Sequence, residues 1–244
     1  MMRIALVALS LLLTSTFVYG KGYGKYDLNL IRTIESTASG KKYSFDEKYL
    51  DPMLRDLGSH AENYPARFDT DEDRGRAIQD VIGVSGIFDA LLSVKKPGAD
   101  LLIRAGYLHT LGRNLGIPGS AEKADASFKK FLKVKPTDPQ GNFMYGVFLA
   151  GENKVKKAIP YLDKAFTAGM PEAAYTLGMA HYSLGNKKKA LDYFEKLKKR
   201  SPYYDESANK MIAEINKDPA KSTKPEAKPK VTSKVKPTIQ DKPQ

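Results

Sequence analysis

Apolar residues recur at helical spacing in block after block between Phe45 and Ile215, and the breaks between blocks are short and carry Pro, Gly or Asn. Phe45, Leu50, Met53, Leu54, Leu57, Ala61 and Tyr64 share one helical face. Ser44-Phe45-Asp46-Glu47 has the form of a capping box ahead of them. Asp51-Pro52 either kinks that helix or starts it, with Asp51 as the N-cap. Thr70 and Asp71 to Asp73 supply an acidic start for a second helix, whose stripe runs through Ile78, Val81, Ile82, Ser85, Phe88, Leu91 and Leu92 until Lys95 to Gly98 stops it. Paired helices are then predicted at 100–114 with 120–134, at 139–150 with 154–167 and at 171–184 with 187–200. Pro118-Gly119, Gly151-Glu152-Asn153 and Gly185-Asn186 mark the turns. A last amphipathic helix, 205–217, presents Ala208, Met211, Ile212 and Ile215 to the exposed face of the final pair.

The three pairs repeat one another. Leu111-Gly112, Ala124, Phe128 and Pro136 return as Tyr145-Gly146, Ala158, Leu162 and Pro171, and again as Leu177-Gly178, Ala190, Phe194 and Pro202. Small residues let two antiparallel helices approach closely, the Phe or Leu fills the gap beside the crossing, and proline ends the second helix. Three copies in register make the pattern specific. The chain resembles tetratricopeptide repeat proteins in their Leu-Gly, Ala-x-x-x-Phe and Pro marks and in their period. The resemblance is specific over 105–216 and holds over 44–98 only in architecture. It implies an all-α, right-handed α-solenoid of helix hairpins, with repeats at 105–138, 139–170 and 171–204, a degenerate hairpin at 44–98 and a capping helix at 205–217.

The two ends read differently. Arg3, the apolar run Ile4 to Leu13 and the small residues up to Gly20 have the form of a signal peptide, 1–20, too short to span a bilayer permanently. Cleavage is expected after Gly20. Residues 21–43, with Gly, Lys and Tyr, read as a flexible lead-in around a Leu30-Ile31-Ile34 contact. From Asp218 to Gln244 the composition turns to Lys, Pro, Ser and Thr, so 218–244 is expected to be a disordered basic tail. In polyproline form, at roughly 3.1 Å per residue, it could reach on the order of 80 Å. The net charge of +12, mean hydropathy of -0.44 and absence of cysteine describe a basic chain without disulfides or thiolate metal sites. The signal-like start and the lack of any Asn-x-Ser/Thr site favour a periplasmic or secreted location.

Candidate chemistry is sparse. His60, His109 and His181 have no metal-ligand spacing, and His181 takes a packing position. Gly83-Val84-Ser85-Gly86-Ile87 lacks the last glycine of a nucleophile elbow. Ser-x-x-Lys pairs at Ser39/Lys42, Ser93/Lys96, Ser120/Lys123 and Ser127/Lys130 are expected by chance in a lysine-rich chain. No cofactor, no metal and no catalysis are therefore expected. The resemblance implies a concave groove lined by the first helix of each hairpin. Its register places partner-binding side chains at His109 and Arg113, at Gln140, Phe143 and Val147, and at Tyr175, Met179 and Tyr182. The family variety that clamps a peptide carboxylate wants Lys and Arg where Tyr175 and Met179 stand, and is disfavoured. A protein or peptide partner in envelope assembly is the first functional reading. The alternative is an anionic envelope polymer or lipid, held by the lysines of second helices (Lys129, Lys130, Lys133, Lys154, Lys156, Lys157, Lys187 to Lys189, Lys196 to Arg200) and by the tail. Nucleic acid is not expected of an exported chain with no nucleic-acid motif.

Overall fold

The computed structural model describes residues 22–37, 40–93 and 96–217. The signal peptide expected at 1–20 and the tail at 218–244 lie outside these residues. Helices dominate, and they pack in sequence-adjacent pairs as the repeated pattern requires. The chain divides into two compact units, one ending at Gly169 and the other beginning at Met170.

In the first unit, α3 (Ala99–Asn114) folds back on α4 (Ser120–Val134), and α5 (Pro139–Gly151) on α6 (Val155–Thr167). Left-handed backbone at Gly119 (φ 77°) and at Asn153 (φ 59°) turns the chain between each pair. Close approach follows from the small residues. A Cβ on Gly146 would sit 2.6 Å from Leu162 Cγ, so only a bare Cα lets α5 and α6 cross there. Gly141 of α5 likewise receives the ring of Phe131 from α4, which seats the second hairpin on the first.

The second unit holds α7 (Glu172–Ser183), α8 (Lys187–Arg200) and α9 (Asp205–Lys217). Phe194 of α8 lies against Gly178 of α7, where a Cβ would come within 2.7 Å of the ring. Burying such a side chain contributes about 1.5–3 kcal/mol. Ala208, Met211 and Ile215 of α9 are buried, and α9 packs on α8, the arrangement expected of a capping helix.

The region ahead of α3 departs from the expected hairpin. α1 (Glu47–Ala61) and α2 (Asp71–Leu92) both pack on α3, and their backbones hardly approach one another. Residues 22–31 bond to both. Tyr23 is buried and its O–H donates to Asp80 Oδ2 of α2 (3.0 Å); the Gly24 N–H and the Tyr26 O–H donate to Asp56 Oδ2 of α1 (2.8 and 2.7 Å). Arg76 donates from Nη2 to the Tyr23 carbonyl (2.9 Å), Leu28 rests on Gly83, and Ile31 is buried. A 3-10 turn at Leu28–Leu30 leads into an antiparallel pair, β1 (Arg32–Thr37) and β2 (Gly40–Phe45), with Ile34 opposite Tyr43. The flexible lead-in expected over 21–43 is thus corrected: where described, it is folded, because helix carboxylates satisfy the polar tips of its tyrosines.

Two local expectations change with it. Ser44 and Phe45 belong to β2, and Asp46 caps α1 by accepting from the Lys48 N–H (2.9 Å), so the capping box does not form. Pro52 lies inside α1, which runs through it. Phe45 instead meets Phe88 edge-on and carries the Arg104 guanidinium over its ring (5.3 Å). Arg104 in turn reaches both Asp51 oxygens (2.8 and 3.0 Å) and Glu47 (3.1 Å), tying β2 and α1 to α3. No helix of the described residues is long and apolar enough to cross a membrane.

Candidate functional site

Each first helix has one face in the core and one toward solvent. On α5 the buried face carries Gly141, Asn142, Tyr145, Gly146, Phe148 and Leu149, and the open face carries Gln140 (exposed), Phe143 (half-buried) and Val147 (38% exposed). On α7 the same register leaves Tyr175 and Tyr182 half-buried and Met179 38% exposed. Five of these six positions are apolar or aromatic and partly in water, on helices whose opposite sides are already packed. Tyr175 is held edge-on against Phe194 (5.6 Å), which fixes its ring while leaving part of it accessible.

α3 does not follow that register. In the second and third hairpins the glycine of the mark faces the Leu or Phe sixteen residues on, Gly146 with Leu162 and Gly178 with Phe194. In the first hairpin Phe128 faces Gly106, with ring atoms 2.6–2.8 Å from where a Cβ on that glycine would stand, whereas Gly112 faces Ser120 and Val81. α3 starts early, at Ala99, and its turn runs from Leu115 to Gly119, so the crossing slides toward the N-terminus. The side chains equivalent to Phe143, Val147 and Ala150 are therefore Ile103, Tyr107 and Thr110, all half-buried. The signal was in the sequence as Gly106, but the Leu-Gly pair at 111–112 concealed it.

This shift corrects one expected contact. His109 is 1% exposed, so it offers a partner no surface. Burial, reinforced by the nearby Lys123 ammonium, lowers its pKa to about 4 and keeps the ring neutral. Arg113 bridges hairpins: its Nε pairs with Glu152 (3.0 Å) at the end of α5, and its Nη1 donates to Asn114 Oδ1 (2.6 Å). Tyr107, by contrast, lies on the open register and leans on Gly58 of α1; burial pushes its hydroxyl up to about 12. α3 and α5 pack side by side, and the Arg113–Glu152 pair joins their C-terminal ends.

The other sequence features find structural roles. His181 is buried and stacks on Tyr193 (5.4 Å between ring centres), and His60 stacks on Phe68 (4.9 Å). Ser120 and Ser127 are buried, and Ser93 Oγ donates to the Ala90 carbonyl. Lys123 turns to Asp89 (2.6 Å) and Ser85 (3.0 Å) of α2, forming a strut between helices. Ser39 lies outside the described residues. Among the described residues, no His, Asp and Glu cluster could hold a metal ion. The second-helix lysines are mostly exposed, and several pair one turn away, as Lys129 with Asp125 (2.6 Å) and Lys196 with Asp192 (2.7 Å).

Residues 171–204 match the tetratricopeptide repeat family model. No curated protein matches the sequence. Among solved structures, the chain is similar to a crystal structure of MamA at 20% identity and a TM-score of 0.45, covering 62% of this chain and 95% of that one. It is also similar to TTC0263, a thermophilic TPR protein of Thermus thermophilus, at 17% identity and a TM-score of 0.47, covering 69% and 91%.

Proposed function

We propose that this chain, a tetratricopeptide repeat protein by its match at 171–204 and its paired helices, is a non-catalytic scaffold that holds a segment of a partner protein on the open faces of its first helices. The observation that carries the reading is the shared register of α5 and α7. Val147 and Met179 are each 38% exposed and each is preceded, one turn earlier, by a half-buried aromatic ring, Phe143 and Tyr175. Apolar side chains left in water on an otherwise packed helix suit an extended peptide or an amphipathic helix, and Met adapts to varied partner shapes. Gln140 and Tyr182 add polar edges to these faces.

The place of action is the cell envelope, after export directed by residues 1–20. Fractionation followed by N-terminal sequencing tests that part: a mature chain beginning at Lys21 supports it, and a cytoplasmic chain keeping Met1 refutes it. The binding part is tested by crosslinking capture with the chain as it stands, with Tyr175, Met179 and Tyr182 changed to Ala, and with the chain ended at Lys217. Loss of one protein partner from the triple variant alone supports the scaffold. Capture that survives there and falls with the tail removed refutes it in favour of the second reading.

That second reading, an anionic envelope polymer or lipid held by cationic side chains, is favoured by the clustering of exposed lysines on α4, α6 and α8. Salt separates the two, because exposed charges are screened within about 8–10 Å at physiological ionic strength, whereas apolar contacts are not.

A further inference from the structure

A cavity of about 470 Å³ opens in the first unit, lined by residues of α4, α5 and α6 and by Lys154 just ahead of α6. It lies on the second-helix side, away from Phe143 and Val147. Four lysines line it: Lys129 from α4, and Lys154, Lys157 and Lys164 from α6 and its start. The one acidic residue of the lining, Asp125, is already engaged. It accepts from Lys129 Nζ (2.6 Å) and from the Tyr145 O–H (2.8 Å), and although burial works against its charge, those bonds hold its carboxyl below the usual range. Lys129 therefore matches Asp125 and leaves three ammonium groups. Lys154 has a loose contact with Glu152 (3.8 Å), Lys164 stands over the Tyr161 ring (5.9 Å), and Lys157 makes no ion pair among the described residues.

The rest of the wall is apolar. Tyr161 meets Tyr145 edge-on (4.7 Å between centres), and Leu149 and Pro160 complete the lining. Because Tyr145 spends its proton on Asp125, it offers the cavity a ring and no donor. A cavity of this volume is within the range of small-ligand sites, which combine an apolar wall with a few convergent polar groups.

The chemistry of the charged groups narrows the ligand. Three ammonium groups are point charges with rotatable donors, and no guanidinium lines the cavity to grip a planar carboxylate with two parallel bonds. Such a set suits a tetrahedral anion of more than one charge. The tyrosine and proline wall beside it suits a ring. We infer that the cleft between α4 and α6 binds the phosphoryl group of a phosphorylated sugar or polyol, with the Tyr161 side of the cavity receiving the carbon skeleton. The same group can come as a soluble sugar phosphate or as the repeating unit of a polyol phosphate polymer. This site is separate from the first-helix faces, so either can fail while the other stands.

Calorimetric titration of the full chain at low salt, with glucose 1-phosphate, glucose and poly(glycerol phosphate), tests the inference. Glucose 1-phosphate should bind and glucose should not. Lys157→Ala with Lys164→Ala should weaken binding about tenfold, since two of the three ammonium groups not matched by Asp125 are lost. Lys210→Ala with Lys217→Ala, exposed on α9, should leave it within about twofold, a change too small to be a lost charge contact. Tighter binding of the polymer per phosphate, lost in the same Lys157/Lys164 variant, would support the inference and identify a polymeric source. Binding of the soluble phosphate alone would support it and identify a small metabolite. Equal binding of glucose, equal weakening by the two lysine pairs, absence of binding to both phosphorylated probes, or preference for a Glu-rich peptide over glucose 1-phosphate would each overturn it.

Discussion

Gly106→Ala places a methyl group 2.6–2.8 Å from three atoms of the Phe128 ring, closer than side chains pack. Overpacking of this kind costs about 1–3 kcal/mol. Alanine recovers about 1 kcal/mol through its better helix propensity, so the net loss is up to about 2 kcal/mol. With Phe128→Leu the ring is absent, and the same methyl should cost about 1 kcal/mol less. A double-mutant cycle over 106 and 128 should therefore show a coupling of about 1 kcal/mol. Gly112→Ala meets Ser120 Oγ and Val81, so its cost should not depend on residue 128. Guanidinium denaturation of both cycles, followed by far-ultraviolet circular dichroism, measures these terms. Additivity of 106 with 128 within about 0.3 kcal/mol, or coupling at 112 in its place, would refute the shifted register.

Three further outcomes follow from groups in the first unit. Asp56→Ala removes the acceptor of the Gly24 N–H and the Tyr26 O–H; a loss of about 1–3 kcal/mol and faster hydrogen exchange confined to 22–31 are expected, and unchanged exchange there would refute the role given to Asp56. His109 is held neutral with its pKa lowered from 6.5 to about 4, so below pH 6.5 the unfolded chain takes up a proton that the folded chain refuses. Its contribution is present above pH 6.5 and is lost as pH falls toward 4; from pH 7 to pH 5 the wild type should lose about 2 kcal/mol more than His109→Gln in urea titrations, and parallel pH profiles would refute the burial effect. Arg104→Ala breaks the link to Asp51 and Glu47 and uncovers Phe45; a loss of about 1.5–3 kcal/mol is expected, whereas a change below about 0.5 kcal/mol would make the link a surface pair of no consequence.

The hairpins were legible because local rules govern them. Gly146 and Gly178 sit where Leu162 and Phe194 need space, and the turns carry residues that tolerate positive φ, so pattern and packing coincide. The first hairpin misled because α3 contains two glycines, Gly106 and Gly112, and only tertiary contact decides which faces Phe128. Ser44 misled because the strand pairing of Arg32 with Phe45 overrode a good local cap. The segment 22–31 was illegible for a different reason. Its tyrosines are buried through hydrogen bonds to Asp56 and Asp80, carboxylates on two helices far along the chain, and no periodicity announces such partners. Of the open faces, α5 and α7 follow from the repeat register, whereas Ile103, Tyr107 and Thr110 required the measured crossing.

The segment 22–31 also sets an order of events in time. A helix hairpin here closes across a turn of a few residues, as α5 to α6 does between Gly151 and Val155. Tyr23 finds Asp80 across 57 residues and Tyr26 finds Asp56 across 30. Joining chain ends so far apart costs about 2 kcal/mol more in closure entropy than a short turn, and contacts of large sequence separation slow folding. The contacts of Tyr23 and Tyr26 exist only once α1 and α2 present their carboxylates, so this latch shuts after the helices it binds.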